Sequence, residues 1–318
     1  MIKVVYITGC LGLIGSHLTR LCLNKGWYVK GVDKVTYAAR SDLLHDFFKY
    51  PNFDFIEDDI CNLNRLIDCD YFINTAAETH VDNSIRRSDD FLKSNVNGVH
   101  NILELLRTYK KEGLITPTFL HFSTDEVYGD IKNGEHIETD ILKPSNPYSA
   151  TKAAADQLIL AWARTYDIPY VIVRPTNNYG IGQYAEKLIP KSCRCLKLGK
   201  KIPLHDMGKP IRNWLHAEDT ALGVIKIIES GKQNEIYNIA GGFEQSNIDT
   251  VKKIMKAYFG NVPKNFEDYI DFSVCRAGQD VRYSLNDQKL RNLGWSPTKN
   301  FDKEIKSIVN FYKKNFVW

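Results

Sequence analysis

The chain has 318 residues, of which 43% are apolar and 25% charged, proportions of an ordinary globular protein, and its length calls for one large domain or two lobes around a cleft. No apolar run approaches the roughly 20 residues that span a bilayer, which argues against a membrane protein, and a net charge of +4 with Lys and Arg dispersed rather than clustered with aromatics gives little support to nucleic-acid binding. The seven cysteines (10, 22, 61, 69, 193, 195 and 275) are odd in number and make no CxxC pair or Cys/His cluster, so they read as reduced thiols of a cytoplasmic protein without a metal site.

Met1-Ile2-Lys3 runs directly into the β-branched run Val4-Val5-Tyr6-Ile7, which predicts a first strand over 3–8 rather than an export leader. Gly9-Cys10-Leu11-Gly12-Leu13-Ile14-Gly15 follows and opens a helix over 13–25. Glycines between a strand and a helix permit a tight turn and let backbone N–H groups approach a pyrophosphate at the positive helix end, although the spacing alone also fits a plain turn. Asp33, at the end of a second strand over 28–32, can accept hydrogen bonds from an adenosine ribose and repel a 2′-phosphate, which favours NAD over NADP; the neighbouring Lys34 pulls the other way.

Further strands are expected at 53–57, 70–75 and 117–122, with helices at 89–111 and 147–166. Asp59-Ile60 and Ala76-Ala77 close two of these strands at carboxyl ends, where ligands of doubly wound sheets collect, and small alanines admit a flat cofactor. This alternation predicts an α/β fold, a Rossmann-type doubly wound parallel sheet over 1–176. Another buried strand, Tyr170-Val171-Ile172-Val173, precedes a change of texture. From Asn177 the elements shorten and Gly and Pro punctuate them, which predicts a smaller α/β substrate lobe over 177–318, with 217–236 returning to the first domain.

Asn146-Pro147-Tyr148 carries helix-start signals, a capping Asn and Pro at the first helical position. Tyr148 and Lys152, at i and i+4, share a helical face, so the ammonium can lie near the phenol. A tyrosine titrates near 10, so a base at neutrality needs a downward shift of about 3 units, which Lys152 and a cationic nicotinamide could supply. Such a pair is common on helix surfaces; here it follows a strand ending in Phe122-Ser123-Thr124, which adds a hydroxyl for a substrate oxygen. Asp125 and Glu126 come next, and paired carboxylates of separated proton affinity can donate one proton and take another, as removal of water requires.

The Ser/Thr, Tyr, Lys set with the glycine loop and Asp33 resembles the extended short-chain dehydrogenase/reductase superfamily over essentially the whole chain. The run Ser123-Thr124-Asp125-Glu126-Val127-Tyr128-Gly129 closely resembles the motif of nucleotide-sugar 4,6-dehydratases, and the segments 32–38, 79–85, 146–152, 177–180 and 186–190 match in order. The resemblance implies an NAD-dependent enzyme converting dTDP-glucose or UDP-glucose to the 4-keto-6-deoxy sugar, as in rhamnose biosynthesis, and a homodimer through helices like 89–111 and 147–166. It implies Tyr148 as the base at the sugar 4-hydroxyl assisted by Thr124 and Lys152, Glu126 as the base at C5, and Asp125 as the acid at the leaving 6-hydroxyl.

By the same resemblance Leu13, Ile14, Lys34, Thr36, Tyr148 and Lys152 join the cofactor contacts. Ser84, Thr124, Asn177, Glu186, Lys187, Leu188, Arg212, Asn247, Arg276 and Tyr283 become the contacts to the nucleotide sugar. Gln279 replaces a His of many thymidine-diphosphate members and, with 79–84, 149–152 and 287–290, leans the base preference slightly toward UDP-glucose. The chain is also shorter than typical bacterial members between 38 and 70. The rival on the same scaffold is a nucleotide-sugar 4-epimerase or decarboxylase, for which Tyr148 and Lys152 suffice; a non-catalytic NAD-binding protein is the reading from another class.

Overall fold

A computed structural model describes residues 2–66 and 68–315. In the first half the β-branched and aromatic runs become β1 (Val4–Thr8), β2 (Tyr28–Asp33), β3 (Phe53–Glu57), β4 (Tyr71–Asn74), β5 (Thr118–Phe122) and β6 (Tyr170–Pro175). Between them lie α1 (Leu13–Asn24), α2 (Leu43–Phe47), α3 (Val81–Arg86), α4 (Asp89–Phe91), α5 (Gly98–Lys111) and α6 (Pro147–Tyr166). The second half adds β7 (Asn177–Tyr179), α7 (Leu188–Lys197), β8 (Ile202–Pro203), β9 (Ile211–His216), α8 (Ala217–Ser230) and β10 (Glu235–Ile239). It ends with β11 (Glu244–Ser246), α9 (Asn247–Phe259), β12 (Ile270–Asp271), α10 (Gln288–Arg291) and α11 (Phe301–Lys314).

Seven strands pair in the order β3-β2-β1-β4-β5-β6-β10, all parallel. The winding reverses between β1 and β4, which opens a crevice at their carboxyl ends, the place where such sheets bind ligands. Both faces are covered: Leu18 and Cys22 of α1 and Val224 and Ile228 of α8 pack one side, and Val99, Ile102 and Leu106 of α5 with Ala155 and Ile159 of α6 pack the other. This is the doubly wound arrangement that the strand–helix alternation predicts. α8 and β10 both belong to this body, so the chain leaves it after β6 and returns for a helix and a strand.

The smaller lobe is built on the three-stranded sheet β11-β9-β7, the pair β8-β12 and helices α7, α9 and α11, around Tyr179, Ile189, Trp214, Ile254, Phe301 and Ile308. One predicted helix is not uniform. The stretch expected over 89–111 comprises α4, a π-helical segment Leu92–Asn97, and α5. The wider π turn accommodates an extra residue, and Asn95 within it donates to Thr151 Oγ1 (3.0 Å) and to the Glu78 carbonyl (3.0 Å) while accepting from the Glu78 N–H (2.9 Å).

Candidate active site

β1 delivers the chain to Gly9, whose φ is +70° and where an added Cβ would stand 2.7 Å from the Ala76 nitrogen; at Gly15 a Cβ would stand 2.0 Å from the Gly9 carbonyl oxygen. The loop therefore closes against β4 only with glycine at both places. α1 begins at Gly12 with no side-chain cap and no acidic residue in its first turn, so its N–H groups face the crevice without an internal anion. Asp33, at the end of β2, accepts from the N–H groups of Leu11 (3.0 Å) and Val35 (2.9 Å), which steers the carboxylate to the crevice wall; burial raises its pKa.

Asp33, Lys34, Thr36, Asp59, Ile60 and Ala76 line the outer part of this crevice. Gly9, Gly12 and Ala77 line both this part and the inner cleft, to which Leu13, Ile14 and Gly15 also belong. Lys34 Nζ lies 3.8 Å from Asp59 and 3.9 Å from Glu78, so two carboxylates already face a cation that could welcome a 2′-phosphate. A glycine turn, an uncapped helix start and a carboxylate at the next strand end fit a dinucleotide.

The reacting groups stand deeper. Thr124 leaves β5 and caps a 3-10 turn, Asp125–Tyr128: its hydroxyl accepts from the Glu126 N–H (3.3 Å) and donates to Asp125 Oδ1 (3.1 Å). Thr124, Asp125, Glu126, Tyr148 and Lys152 all line the inner cleft. Asp125 Oδ2 is buried with no hydrogen-bond partner among the described residues, and burial, reinforced by the Glu126 charge, pushes its pKa up to about 8. Asp125 thus holds a proton at neutrality and can give it away. Burial also raises Glu126, but Arg212 and a hydrogen bond from Asn146 Nδ2 (3.2 Å) pull the other way, and the Tyr283 hydroxyl lies 3.5 Å from Oε2.

The raised Asp125 has a measurable thermodynamic sign. The folded protein keeps this proton up to about pH 8, whereas the unfolded chain releases it near the ordinary carboxylate value, so Asp125 makes stability fall as pH rises between the two. Asp125→Asn removes that contribution. Urea unfolding at several pH values is expected to show a flatter decline for the variant than for the parent, and equal slopes would contradict a protonated Asp125.

α6 is set by its start: Asn146 Oδ1 accepts from the Ser149 N–H (2.9 Å), Ser149 Oγ accepts from the Asn146 N–H (3.2 Å), and Pro147 takes the first helical place. Tyr148 and Lys152 share the cleft face, as the i, i+4 spacing predicts. Lys152 Nζ donates to the Phe122 carbonyl (2.6 Å) and lies 3.1 Å from His121 Nε2, and burial pushes its pKa down to about 8. Burial raises Tyr148 above the ordinary phenol value, the Glu126 charge adds to this, and a hydrogen bond with Thr124 opposes it. In the polypeptide alone burial and the Glu126 charge therefore hold Tyr148 up, and the downward shift expected of Lys152 together with a cationic nicotinamide is a property of the loaded site.

Ser84, read from the family as a sugar contact or a support of its loop, sits behind the site. It is buried, donates to the Val81 carbonyl (2.7 Å) and accepts from the Tyr148 N–H (3.2 Å), which makes it a support behind Tyr148. Asn177, Glu186 and Lys187 line the inner cleft and continue into the small lobe, where Leu188, Arg212, Asn247 and Arg276 form the walls. Tyr283 joins Glu126, Arg212 and Arg276 around an adjacent recess, its ring 4.7 Å from the Arg212 guanidinium and its hydroxyl donating to Asp280. Arg276 Nε donates to Asp82 (2.6 Å), and Asn177 Oδ1 is buried without a partner among the described residues. Lys187 Nζ reaches across to the Thr79 carbonyl (2.8 Å), and the Tyr37 hydroxyl to Glu186 (3.3 Å), so both lobes are tied at the cleft.

Reading the sequence alone missed the groups behind the site. Asp156 Oδ2 accepts from Ser123 Oγ (3.0 Å) and Arg174 Nε (3.0 Å), and Arg174 Nη1 donates to the Tyr128 hydroxyl (2.7 Å), all buried. Asp156 stands four residues after Lys152, and the helical periodicity that placed Lys152 on the cleft face would also have placed it. His121 and the contact of Asn146 with Glu126 were missed too. Among the described residues no helix is long and apolar enough to cross a membrane, and no cluster of three or more His, Cys, Asp or Glu side chains could hold a metal.

The family model described as GDP-mannose 4,6 dehydratase matches residues 6–308. The chain is 38% identical to the dTDP-glucose 4,6-dehydratase of Haemophilus influenzae, with 98% of each protein covered. It is also 38% identical to the low-salt glycan biosynthesis protein Agl12 of Haloferax volcanii, over 97% of this chain and 98% of that protein. The crystal structure of DesIV, a dTDP-glucose 4,6-dehydratase from Streptomyces venezuelae with NAD bound, superposes with a TM-score of 0.88 at 33% identity, covering 98% of this chain and 97% of that one. With this match along its length and the Thr124, Asp125, Glu126, Tyr148 and Lys152 set gathered in one cleft, the chain belongs to the nucleotide-sugar 4,6-dehydratases of the extended short-chain dehydrogenase/reductase superfamily.

Proposed function

We propose that this protein is an NAD-dependent NDP-glucose 4,6-dehydratase, a hydro-lyase that forms the NDP-4-keto-6-deoxyglucose. The observation that carries the reading is Asp125-Glu126, a buried acid and a neighbouring carboxylate in the cleft of Tyr148. The crevice residues fit NAD, which when bound takes a hydride from sugar C4 and later returns it to C6. Tyr148 accepts the 4-hydroxyl proton, with Thr124 orienting that oxygen. Oxidation to a ketone acidifies the C5 hydrogen, Glu126 takes it, and Asp125 gives its proton to the 6-hydroxyl, which leaves as water. Glu126 then hands its proton back to C5. Tyr148 is left with the 4-hydroxyl proton and Asp125 without its own, so transfer of one proton from Tyr148 to Asp125, directly or through solvent, restores the protein and closes the balance at one water lost. An epimerase or decarboxylase would need neither carboxylate.

Asn177, Lys187, Arg212 and Arg276 supply the polar and cationic side chains that a nucleoside diphosphate needs, with Arg suited to bidentate phosphate recognition. dTDP-glucose is favoured as substrate because relatives at 37–38% identity carry that name. UDP-glucose is the second reading, supported by Gln279, which lines the same wall and donates to the Asp280 carbonyl (3.0 Å). We further read the protein as a cytoplasmic homodimer through α5 and α6, serving a deoxysugar route such as that to rhamnose. Incubation with dTDP-glucose and UDP-glucose in parallel, followed by mass spectrometry, is expected to show loss of one water from the preferred nucleotide sugar. A product of unchanged mass would make the protein an epimerase, and no turnover of either would overturn the assignment.

A further inference from the structure

Thr8, Asn74 and His121 stand at one level of the main sheet, Thr8 paired with Asn74 across β1 and β4, and Asn74 with His121 across β4 and β5. All three are buried. Their side chains form a continuous row: Thr8 Oγ1 to Asn74 Oδ1 is 2.6 Å, Asn74 Nδ2 to His121 Nδ1 is 3.1 Å, and His121 Nε2 to Lys152 Nζ is 3.1 Å. Polar groups buried in a parallel sheet are unfavourable unless each is hydrogen-bonded, and here the row ends on the lysine of the reacting site.

The hydrogens of this row allow two satisfied states. In one, the Asn74 N–H donates to Nδ1, the ring hydrogen sits on Nε2, and it points at Lys152, which must then be an uncharged amine. In the other, the amide is turned over, its oxygen accepts from Nδ1–H, and Nε2 presents a lone pair to an ammonium; Thr8, donor or acceptor, serves both. An ammonium has no lone pair, so a charged Lys152 selects the second state. The Phe122 carbonyl then takes another of its hydrogens.

We propose that His121 is a positioning residue for C4 oxidation: with its hydrogen held on Nδ1 by Asn74, it accepts from Lys152 at Nε2 and keeps that side chain charged and fixed one helical turn from Tyr148. This rests on the dehydratase reading. Among the described residues the charged and titratable groups around Lys152 are His121 from β5, Tyr148 and Asp156 from α6 itself, and Arg174 of β6, already paired with Asp156; Asp125 and Glu126 act through Tyr148. Burial opposes the ammonium and Asp156 favours it, so loss of an acceptor at 3.1 Å shifts the balance toward the neutral amine.

Two measurements test this. Ring-nitrogen NMR of the intact protein is expected to show His121 neutral with its hydrogen on Nδ1, and that preference is expected to weaken in Lys152→Met. In kinetics, His121→Leu is expected to lower kcat about tenfold with KM nearly unchanged and to raise the acid limb of the kcat/KM profile by about one pH unit. His121→Gln, whose amide oxygen can face the ammonium, is expected to recover most of the rate. An Nε2–H tautomer would overturn the proposal, as would a folded His121→Leu enzyme whose acid limb does not move, or a His121→Gln enzyme no better than it. If the parent releases no 4-keto product from either nucleotide sugar, the dehydratase reading fails by itself, and the tautomer still decides how His121 meets Lys152.

Discussion

Glu126→Gln is expected to lower formation of the 4-keto-6-deoxy product by about 10²–10⁴-fold, the range associated with loss of a positioned general base. The amide keeps the shape of the carboxylate and can still meet Asn146 and Tyr283, so the fold and the cleft are preserved while the ability to take the C5 proton is lost. C4 oxidation, which uses Tyr148, remains. The variant should therefore accumulate reduced cofactor on addition of substrate, seen as its absorbance, without loss of water by mass. An undiminished rate of product formation would place the C5 base elsewhere.

Asp156→Leu is expected to destabilise the protein by about 3–5 kcal/mol, because it leaves a buried guanidinium without its counter-charge. Arg174 is 2% exposed and its Nε and Nη2 lie 3.0 Å and 2.9 Å from Asp156, so no water can replace the carboxylate without opening the packing of α6 on β6. Replacing both partners with apolar residues, Asp156→Leu with Arg174→Met, is expected to regain a large part of the loss, since the penalty belongs to the unpaired charge. Urea unfolding of both singles and the double measures this. A single Asp156→Leu variant as stable as the parent would show that the pair contributes nothing.

The main sheet was legible because its signal is local and repeated. Runs such as Val4-Val5-Tyr6-Ile7 and Tyr170-Val171-Ile172-Val173 are buried on both faces and so read as continuous apolar strands. The cofactor loop and α6 announced themselves through glycine, Asn and Pro, residues whose backbone roles hardly depend on distant contacts. The line-up of Thr124, Asp125, Glu126 and Tyr148 in one cleft was legible through family motifs. Lys152 could be placed on its helix face from the spacing, but its β5 partners, the Phe122 carbonyl and His121, could not, because they depend on the helix–sheet distance. Ser84 could be read as lining the sugar pocket or as supporting its loop, because one short hydroxyl serves a pocket or a backbone equally well until its surroundings are known. His121 left a trace, a lone histidine in the apolar run Thr-Phe-Leu-His-Phe, but its meaning required two neighbouring strands.

The π turn at Leu92–Asn97 carries one residue more than an α stretch would hold, and its looser winding spreads the same rotation over that longer count. Phe91 before it meets Tyr148 edge-on with ring centroids 6.4 Å apart, while Val99, Ile102 and Leu106 after it face the sheet. Each residue of an α-helix advances about 100°, so the same extra residue wound as plain α would rotate one flank by about that angle relative to the other. Either the Tyr148 contact or the core face would then point the wrong way. The bulge thus decouples length from orientation: it adds the place from which Asn95 reaches Glu78 and Thr151 while both flanks keep their faces.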